Sequence, residues 1–427
     1  MHDTQHVLVS GLGVVSPIGL DLGEFAQSLR DGKSGIGHLP SELAESIDVK
    51  IGATLYDFVL DATLLKRYSA PESLIRPILK CTSRMPLSVQ ATVAATLQAW
   101  LQAGLENSAV DSGRIGIVVA GNNIAPRYSF EHKDQFVRAP QYFNPRYAYH
   151  YMDTIHIGVV SEIFGIHGEG FSVGGASSSG NMAIIKAAQA ISSGVLDICL
   201  VVGAMADLSP MELQGFFNMG AIAGKAFHNQ PDKACRPFDV RHEGFVFGQA
   251  AGCMVLESGD SVERRQATPL AEVAGTGVFL DANHLPNPDP EGEANAMFAA
   301  LGEAGLDPGR VDYLNAHGTS SPLGDITEIK AIKSAFPGLD GHLWINSTKS
   351  LTGHCLSSAG VIEAIATVVQ MQNGFLHPNR NLDEPIDDKC RFCGSEAENF
   401  QVGIAMSNSF GFGGINTSIV LKKEFCK

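Results

Sequence analysis

The sequence predicts a duplicated α/β fold, and three observations carry that expectation. Runs of β-branched and small apolar residues, typical of strands buried on both faces, alternate with segments whose apolar residues recur at helical spacing. The polar segment Ser258 to Thr268 interrupts the series and reads as a joint. Beyond it strands and helices resume in a similar order, so the expected halves are residues 1–257 and 268–427.

The first half opens with His6-Val7-Leu8-Val9-Ser10-Gly11-Leu12-Gly13-Val14-Val15-Ser16-Pro17, read as a strand running into a glycine turn. It imitates a dinucleotide-binding fingerprint, but Ser16 stands where the third glycine belongs and Pro17 follows at once, so nucleotide binding is not expected. Leu87 to Leu105 is expected to be a long Ala- and Leu-rich helix, and Arg114 to Gly121 a buried strand. Residues 122 to 155 hold Tyr142, Phe143, Pro145, Tyr147, Tyr149 and Tyr151 with little periodicity. They suggest an insertion that packs on something, another subunit being one candidate.

Phe171 to Gly180 reads as a short strand, a Gly174-Gly175 elbow and a helix N-terminus, with helical apolar spacing continuing from Asn181 to Ser192. Strands are expected at Asp197 to Ala204 and Ala251 to Glu257. In the second half, strands near Ala271 to Val278, Val311 to Leu314, Trp344 to Asn346 and Thr417 to Leu421 alternate with helices near Ala294 to Ala304, from Asp325, and Ala359 to Met371.

The elbow matters chemically because a strand-to-helix junction aims unpaired backbone N–H groups and the positive helix end at the side chain it carries. That side chain is Ser177. Ser177, Ser178 and Ser179 also suit plain helix capping, and the elbow alone does not separate the two roles.

With 427 residues, 44% hydrophobic and 18% charged, the chain can bury a large core. Its formal net charge of −15 argues against nonspecific nucleic-acid binding and against a basic membrane-surface role. The start, Met1 to His6, does not resemble a signal peptide and no apolar run reaches membrane-spanning length, so a cytoplasmic protein is expected. The eight cysteines show no disulfide framework, and Cys390-Arg391-Phe392-Cys393 is a lone CxxC without a second ligand pair, so no metal is expected.

Three later segments place polar residues on glycine-rich turns beside buried strands: Asn315-Ala316-His317-Gly318-Thr319-Ser320-Ser321-Pro322-Leu323-Gly324-Asp325, Asn346-Ser347-Thr348-Lys349-Ser350-Leu351-Thr352-Gly353-His354, and Asn408-Ser409-Phe410-Gly411-Phe412-Gly413-Gly414. Together with Gly11 to Pro17 and Arg236-Pro237-Phe238-Asp239, in this order and at these intervals from about Val7 to Leu421, they resemble the β-ketoacyl-ACP synthases of fatty-acid and polyketide assembly. The resemblance implies a thiolase-like five-layered αβαβα fold, a homodimer, and an acidic acyl carrier protein that presents the substrate on its phosphopantetheine arm, with no other cofactor. It also implies catalytic roles for the elbow residue, His317, His354, Lys349 and Phe410. Thr319, Ser321 and Phe412 fall where the family binds the substrate arm, with Ser321 replacing the usual threonine. Lys349, Asp325 and Glu363 are candidates for a buried charge network that holds the histidines.

One departure dominates. The family carries a cysteine at the elbow, and this chain carries Ser177. A thiol ionises near pKa 8.5 and an alcohol only near water's ~15.7, a gap of ~7 units or on the order of 10 kcal/mol. A helix terminus supplies at most about 2 kcal/mol, so acyl capture by a serine anion is not expected, whereas decarboxylation of a malonyl thioester needs only donors for the developing enolate oxygen. The resemblance therefore points to a malonyl-ACP decarboxylase, of the Cys-to-Ser type found in polyketide β-branching cassettes. Alternatives are a condensing or acyl-transferring enzyme that uses Ser177 as nucleophile, and a noncatalytic partner subunit like the chain-length factors. Cys355, beside His354, is the nearest thiol in sequence, and Lys66, Arg67, Arg76, Lys80 and Arg84 are candidates for a basic patch that receives the carrier protein.

Overall fold

The computed structural model describes residues 6–338 and 341–423, so Met1–Gln5 and Cys426 lie outside the described residues. Ten strands build the core: β1 Val7–Val15, β2 Ile115–Ala120, β3 Gly170–Val173, β4 Ile198–Gly203, β5 Ala251–Ser258, β6 Ala271–Leu280, β7 Tyr313–Asn315, β8 Trp344–Asn346, β9 Ile404–Gly411 and β10 Ile415–Lys422. The first five run in the spatial order β3-β2-β4-β5-β1, and the second five repeat it as β8-β7-β9-β10-β6. Pairing sense repeats as well, since β2 is parallel to β3 and β4 as β7 is to β8 and β9, while the remaining pairs are antiparallel. The halves meet where Leu8 and Val9 of β1 pair antiparallel with Glu272 and Ala271 of β6. A two-residue strand, Arg391–Phe392, extends the sheet beyond β8.

Six helices complete the layers: α1 Leu87–Gln102, α2 Thr154–Phe164, α3 Ser179–Ser192, α4 Pro290–Ala304, α5 Pro322–Ala335 and α6 Ala359–Asn373. Alternation along the strands dictates the stacking. Val201 and Met254 face Ile184 of α3 and Ile365 of α6, together with Ala405 and Ile419 from the second half. Leu200, Val202 and Val255, on the opposite face, meet α1 and α2. Leu314, Met406 and Val420 turn outward to α4 and α5. The order is therefore helix, sheet, helix pair, sheet, helix: a five-layered αβαβα arrangement.

Gly11 and Gly13 lie inside β1 rather than in a turn. They are required there because α1 crosses so closely that a Cβ on either would collide with the carbonyl oxygens of Ala99 and Ala95. The repeat carries the same device, with Gly275 and Gly277 of β6 against Ala300 and Ala296 of α4. What imitates a nucleotide fingerprint is thus a helix-to-strand contact.

Two other segments hold structure that their sequence does not declare. The joint is ordered, with helix Gly259–Arg265 capped by the Ser258 side chain, and Arg265 reaches back to the buried Glu257 carboxylate. The aromatic insertion contains a helix, Pro126–Arg138, none of whose residues is buried. Within the chain its rings pack on their neighbours, with Tyr128 stacked on Tyr147 and Tyr147 on Tyr151 at 5.7 and 5.3 Å. Among the described residues no helix is long and apolar enough to cross a membrane.

Candidate active site

The chain leaves β3 through Gly174 and Gly175 and enters a single 3₁₀ turn, Ala176–Ser178, before α3 begins at Ser179. The serines divide the work. Ser178 Oγ donates to Gly175 O at 2.6 Å, and Ser179 Oγ accepts from Gly175 N at 2.9 Å while donating to Ala176 O at 2.7 Å. These two brace the elbow. Ser177 Oγ is left to point across a cavity of about 1240 Å³, where it lies 2.8 Å from His354 Nε2.

The second half builds a matching elbow. Leu356–Ser358 is also a 3₁₀ turn leading into α6, and Leu356 has φ +53° where Ala176 has φ +49°. The two elbows cross at Gly180 and Gly360, where a Cβ would strike the backbone of the opposing helix. That close crossing brings both helix N-termini to one point. The backbone N–H of Leu356 donates to His354 Nδ1 at 3.3 Å. With Nδ1 occupied as an acceptor, the neutral imidazole carries its proton on Nε2, so His354 is the donor to Ser177 Oγ.

His317 follows β7 and stands edge-on to His354, with ring centroids 5.6 Å apart. Its Nδ1 faces the Lys349 ammonium at 3.4 Å, which leaves Nε2–H free for the cavity. Burial holds both imidazoles well below the ordinary histidine pKa, with Lys349 adding to the effect at each and His354 adding at His317. Two neutral imidazoles thus present N–H groups beside one hydroxyl.

The support behind them is built from buried charge. Lys349 is paired with Glu363 of α6, whose carboxyl is pushed up to about 7 by burial against the opposing pull of Lys349. Asp325 does not join this network: it accepts from Phe238 N, Ser320 N and His242 Nδ1, at 2.8, 3.1 and 2.9 Å, and fixes the loop after His317. The residue missed in the sequence is Glu328, one turn further along α5. Its two oxygens accept from His317 N at 2.8 Å and Gly318 N at 2.7 Å, so it holds the histidine's own backbone. Its place three residues after Asp325 was the available signal, since both then face the same loop.

Phe410 belongs to β9 rather than to a glycine turn, and its ring sits 5.6 Å from that of His317. Thr319 and Phe412 line the cavity. Ser321 lines it too, but its hydroxyl also caps α5 by accepting from Gly324 N. Cys355 is not at the cavity: it is buried, and burial pushes its thiol up to about 12. Among the described residues no group of three or more His, Cys, Asp and Glu side chains could hold a metal ion.

Residues 4–261 match the β-ketoacyl synthase N-terminal domain and residues 270–383 the C-terminal domain. The chain belongs to the β-ketoacyl synthase family. Relatives within it include the polyketide biosynthesis malonyl-ACP decarboxylase PksF of Bacillus subtilis (strain 168), 37% identical over 97% of this chain and 96% of that one. The 3-oxoacyl-[acyl-carrier-protein] synthase 2 of Coxiella burnetii is 33% identical over 99% of this chain and all of its own length. Among solved structures, a type II polyketide ketosynthase in complex with its acyl carrier protein superimposes with a TM-score of 0.85 at 26% identity, covering 99% of this chain and 100% of that one. The ishigamide ketosynthase/chain length factor does so with the same TM-score at 27% identity and the same coverage. In this β-ketoacyl synthase, then, the elbow, both histidines and the phenylalanine line one cavity, the lysine backs His317, and the elbow carries a hydroxyl.

Proposed function

We propose that this β-ketoacyl synthase decarboxylates malonyl-ACP to acetyl-ACP for polyketide assembly and does not elongate acyl chains. The observation that carries the proposal is the Leu356 N–H contact to His354 Nδ1 at 3.3 Å, which assigns the imidazole proton to Nε2. Because Leu356 N–H occupies Nδ1, His354 offers Ser177 a proton and cannot remove one, so the serine lacks the base that an alcohol nucleophile needs. What the site retains is a pair of Nε2–H donors. With the thioester oxygen between them, the bond from Cα to the carboxylate breaks, its electron pair moves to that oxygen, CO2 leaves, and a proton on Cα completes the acetyl group. Phe410 supplies an apolar wall that favours loss of the charged carboxylate.

In this scheme Lys349 orients His317 and lowers its proton affinity, while Ser177 steadies His354 and the enolate. Thr319, Ser321 and Phe412 line the way in for the phosphopantetheine arm. Lys66, Arg76, Lys80 and Arg84 are exposed and form the basic patch offered to the acidic carrier protein, whereas Arg67 is engaged by Asp21 and Glu24. Reversing Lys66 and Lys80 to Glu raises the KM for carrier protein without changing kcat, as steady-state kinetics will read; an unchanged KM removes the patch. The exposed Phe136, Val137, Tyr142 and Tyr151 of the insertion are the apolar surface on which a second copy would pair to give the homodimer.

The deciding test is intact mass of malonyl-loaded carrier protein incubated with the enzyme. Loss of 44 mass units at a rate above the enzyme-free control supports the proposal. Persistence of the malonyl form at the control rate refutes it.

A further inference from the structure

Decarboxylation leaves a proton to be found. The overall change is malonyl thioester carboxylate plus one proton to acetyl thioester plus CO2, and the proton must reach Cα inside the cavity. The donors already described are poor sources. Ser177 is an alcohol, and each neutral imidazole would have to become an imidazolate while still needed to hold the enolate oxygen. Lys349 is buried behind His317 and paired with Glu363. Glu328 is committed through both oxygens to the His317 loop.

Of the other carboxyl groups on the cavity wall, one is both buried and unpartnered at an oxygen. Glu293, in the first turn of α4, lines the cavity at 2% exposure, and its Oε2 has no hydrogen-bond partner. Asp281, just beyond the end of β6, also lines the cavity, with Oδ2 unpartnered and Oδ1 accepting from Asn416 at 2.5 Å. The charged groups that act most strongly on Glu293 are acidic: Glu328 and Asp325 from α5, Asp281 from the end of β6, and Asp289 at the cap of α4. Burial first, and then those carboxylates, raise the Glu293 pKa well above the ordinary value. A carboxyl so placed favours its protonated form, in which it repels no substrate carboxylate.

We propose, resting on the decarboxylase reading, that Glu293 is the resident acid of the cavity and that its proton is the one that replaces CO2 on the product methyl group. The C–C bond breaks and CO2 departs. The Glu293 O–H bond then breaks as the new C–H bond forms at Cα, leaving a Glu293 carboxylate. Solvent reprotonates it past the half-buried Asp281 at the cavity edge. One proton is taken from solvent per turnover. Without the acid the enolate recaptures CO2 before it is quenched, so product formation slows.

The test reads which acid delivers the proton, apart from how fast. Malonyl carrier protein is turned over briefly in an equal mixture of H2O and D2O, and the CH3 to CH2D ratio of the acetyl product is read by intact mass, with residual malonyl mass correcting for exchange. Glu293→Gln is expected to change this ratio by about twofold or more and to slow acetyl formation, because protonation then comes from water. Glu293→Asp, which keeps a carboxyl, returns the ratio toward that of the wild type. In the wild type the ratio also changes once the pH is high enough to ionise Glu293, which needs no variant to fold. An unchanged ratio in Glu293→Gln, or a wild-type ratio constant between about pH 5 and 10, overturns the proposal and leaves the decarboxylase reading standing. A wild-type enzyme that forms no acetyl product overturns both.

Discussion

Truncating Ser177 and His354 separately to alanine should give unequal losses, and the inequality follows from the geometry. Ser177 Oγ makes one hydrogen bond, to His354 Nε2 at 2.8 Å. A neutral hydrogen bond of that kind contributes about 0.5–1.5 kcal/mol, so Ser177→Ala slows acetyl formation roughly 2- to 13-fold. His354 instead supplies a donor aimed at the developing enolate oxygen, and removing one such donor costs about 2.7–4 kcal/mol, or about 10²–10³ in kcat. His354→Ala should therefore be slower than Ser177→Ala by about tenfold or more. It also leaves Leu356 N–H without its acceptor, which costs about 1–3 kcal/mol of stability, so a thermal scan accompanies the kinetics. The assay is the time course of malonyl and acetyl carrier protein by mass. Equal losses in the two variants, together with an acyl adduct on Ser177 of the wild type, would refute the reasoning and make the serine a nucleophile.

Other expectations concern the scaffold. His156 of α2, buried against Thr92, has its pKa pushed down to about 4 by burial. The unfolded chain binds that proton as the pH falls below its ordinary 6.5 and the native chain does not, so the contribution is complete above 6.5 and is lost as the pH approaches 4. His156→Gln should remove up to about 3 kcal/mol of this acid sensitivity, read as a flatter Tm against pH across that window; an unaltered slope excludes it. Lys349→Met strands Glu363 in the core and should cost about 3–5 kcal/mol in denaturant unfolding, most of which the double variant with Glu363→Leu recovers. Gly13→Ala forces α1 off β1 and should destabilise by about 3 kcal/mol or more, while Gly37→Ala, with open space around its Cα, leaves the unfolding midpoint in place.

Much of this was visible in the chain itself, for identifiable reasons. Strands such as Ile115–Ala120 and Ile198–Gly203 are buried on both faces, so unbroken apolar runs declare them, and the elbow of Ser177 is declared by Gly-Gly before small hydroxyl residues. The helix Pro126–Arg138 escaped because nothing on it is buried, which removes the apolar period by which helices are recognised. Asn408 to Phe410 reads as part of a turn because a strand rich in small polar residues is recognisable only from its partners; here β7 and β10 flank β9. The charge network was half legible. Lys349 and Glu363 pair as expected, but Asp325 serves His242 and the loop, and Glu328 takes the place beside His317. Which carboxylate meets which donor is set by the packing of α5 on its loop, and sequence spacing does not encode that.

The paired elbows have a consequence for how the enzyme could be taken apart. One repeat contributes the alcohol; the other contributes both imidazoles, and the protonation pattern of His354 is dictated by its own chain two residues on. Alcohol and imidazole pair are brought together only at the seam where Gly180 meets Gly360. Two severed polypeptides would have to reassemble with those glycines in contact before the hydroxyl of one could reach the donors of the other.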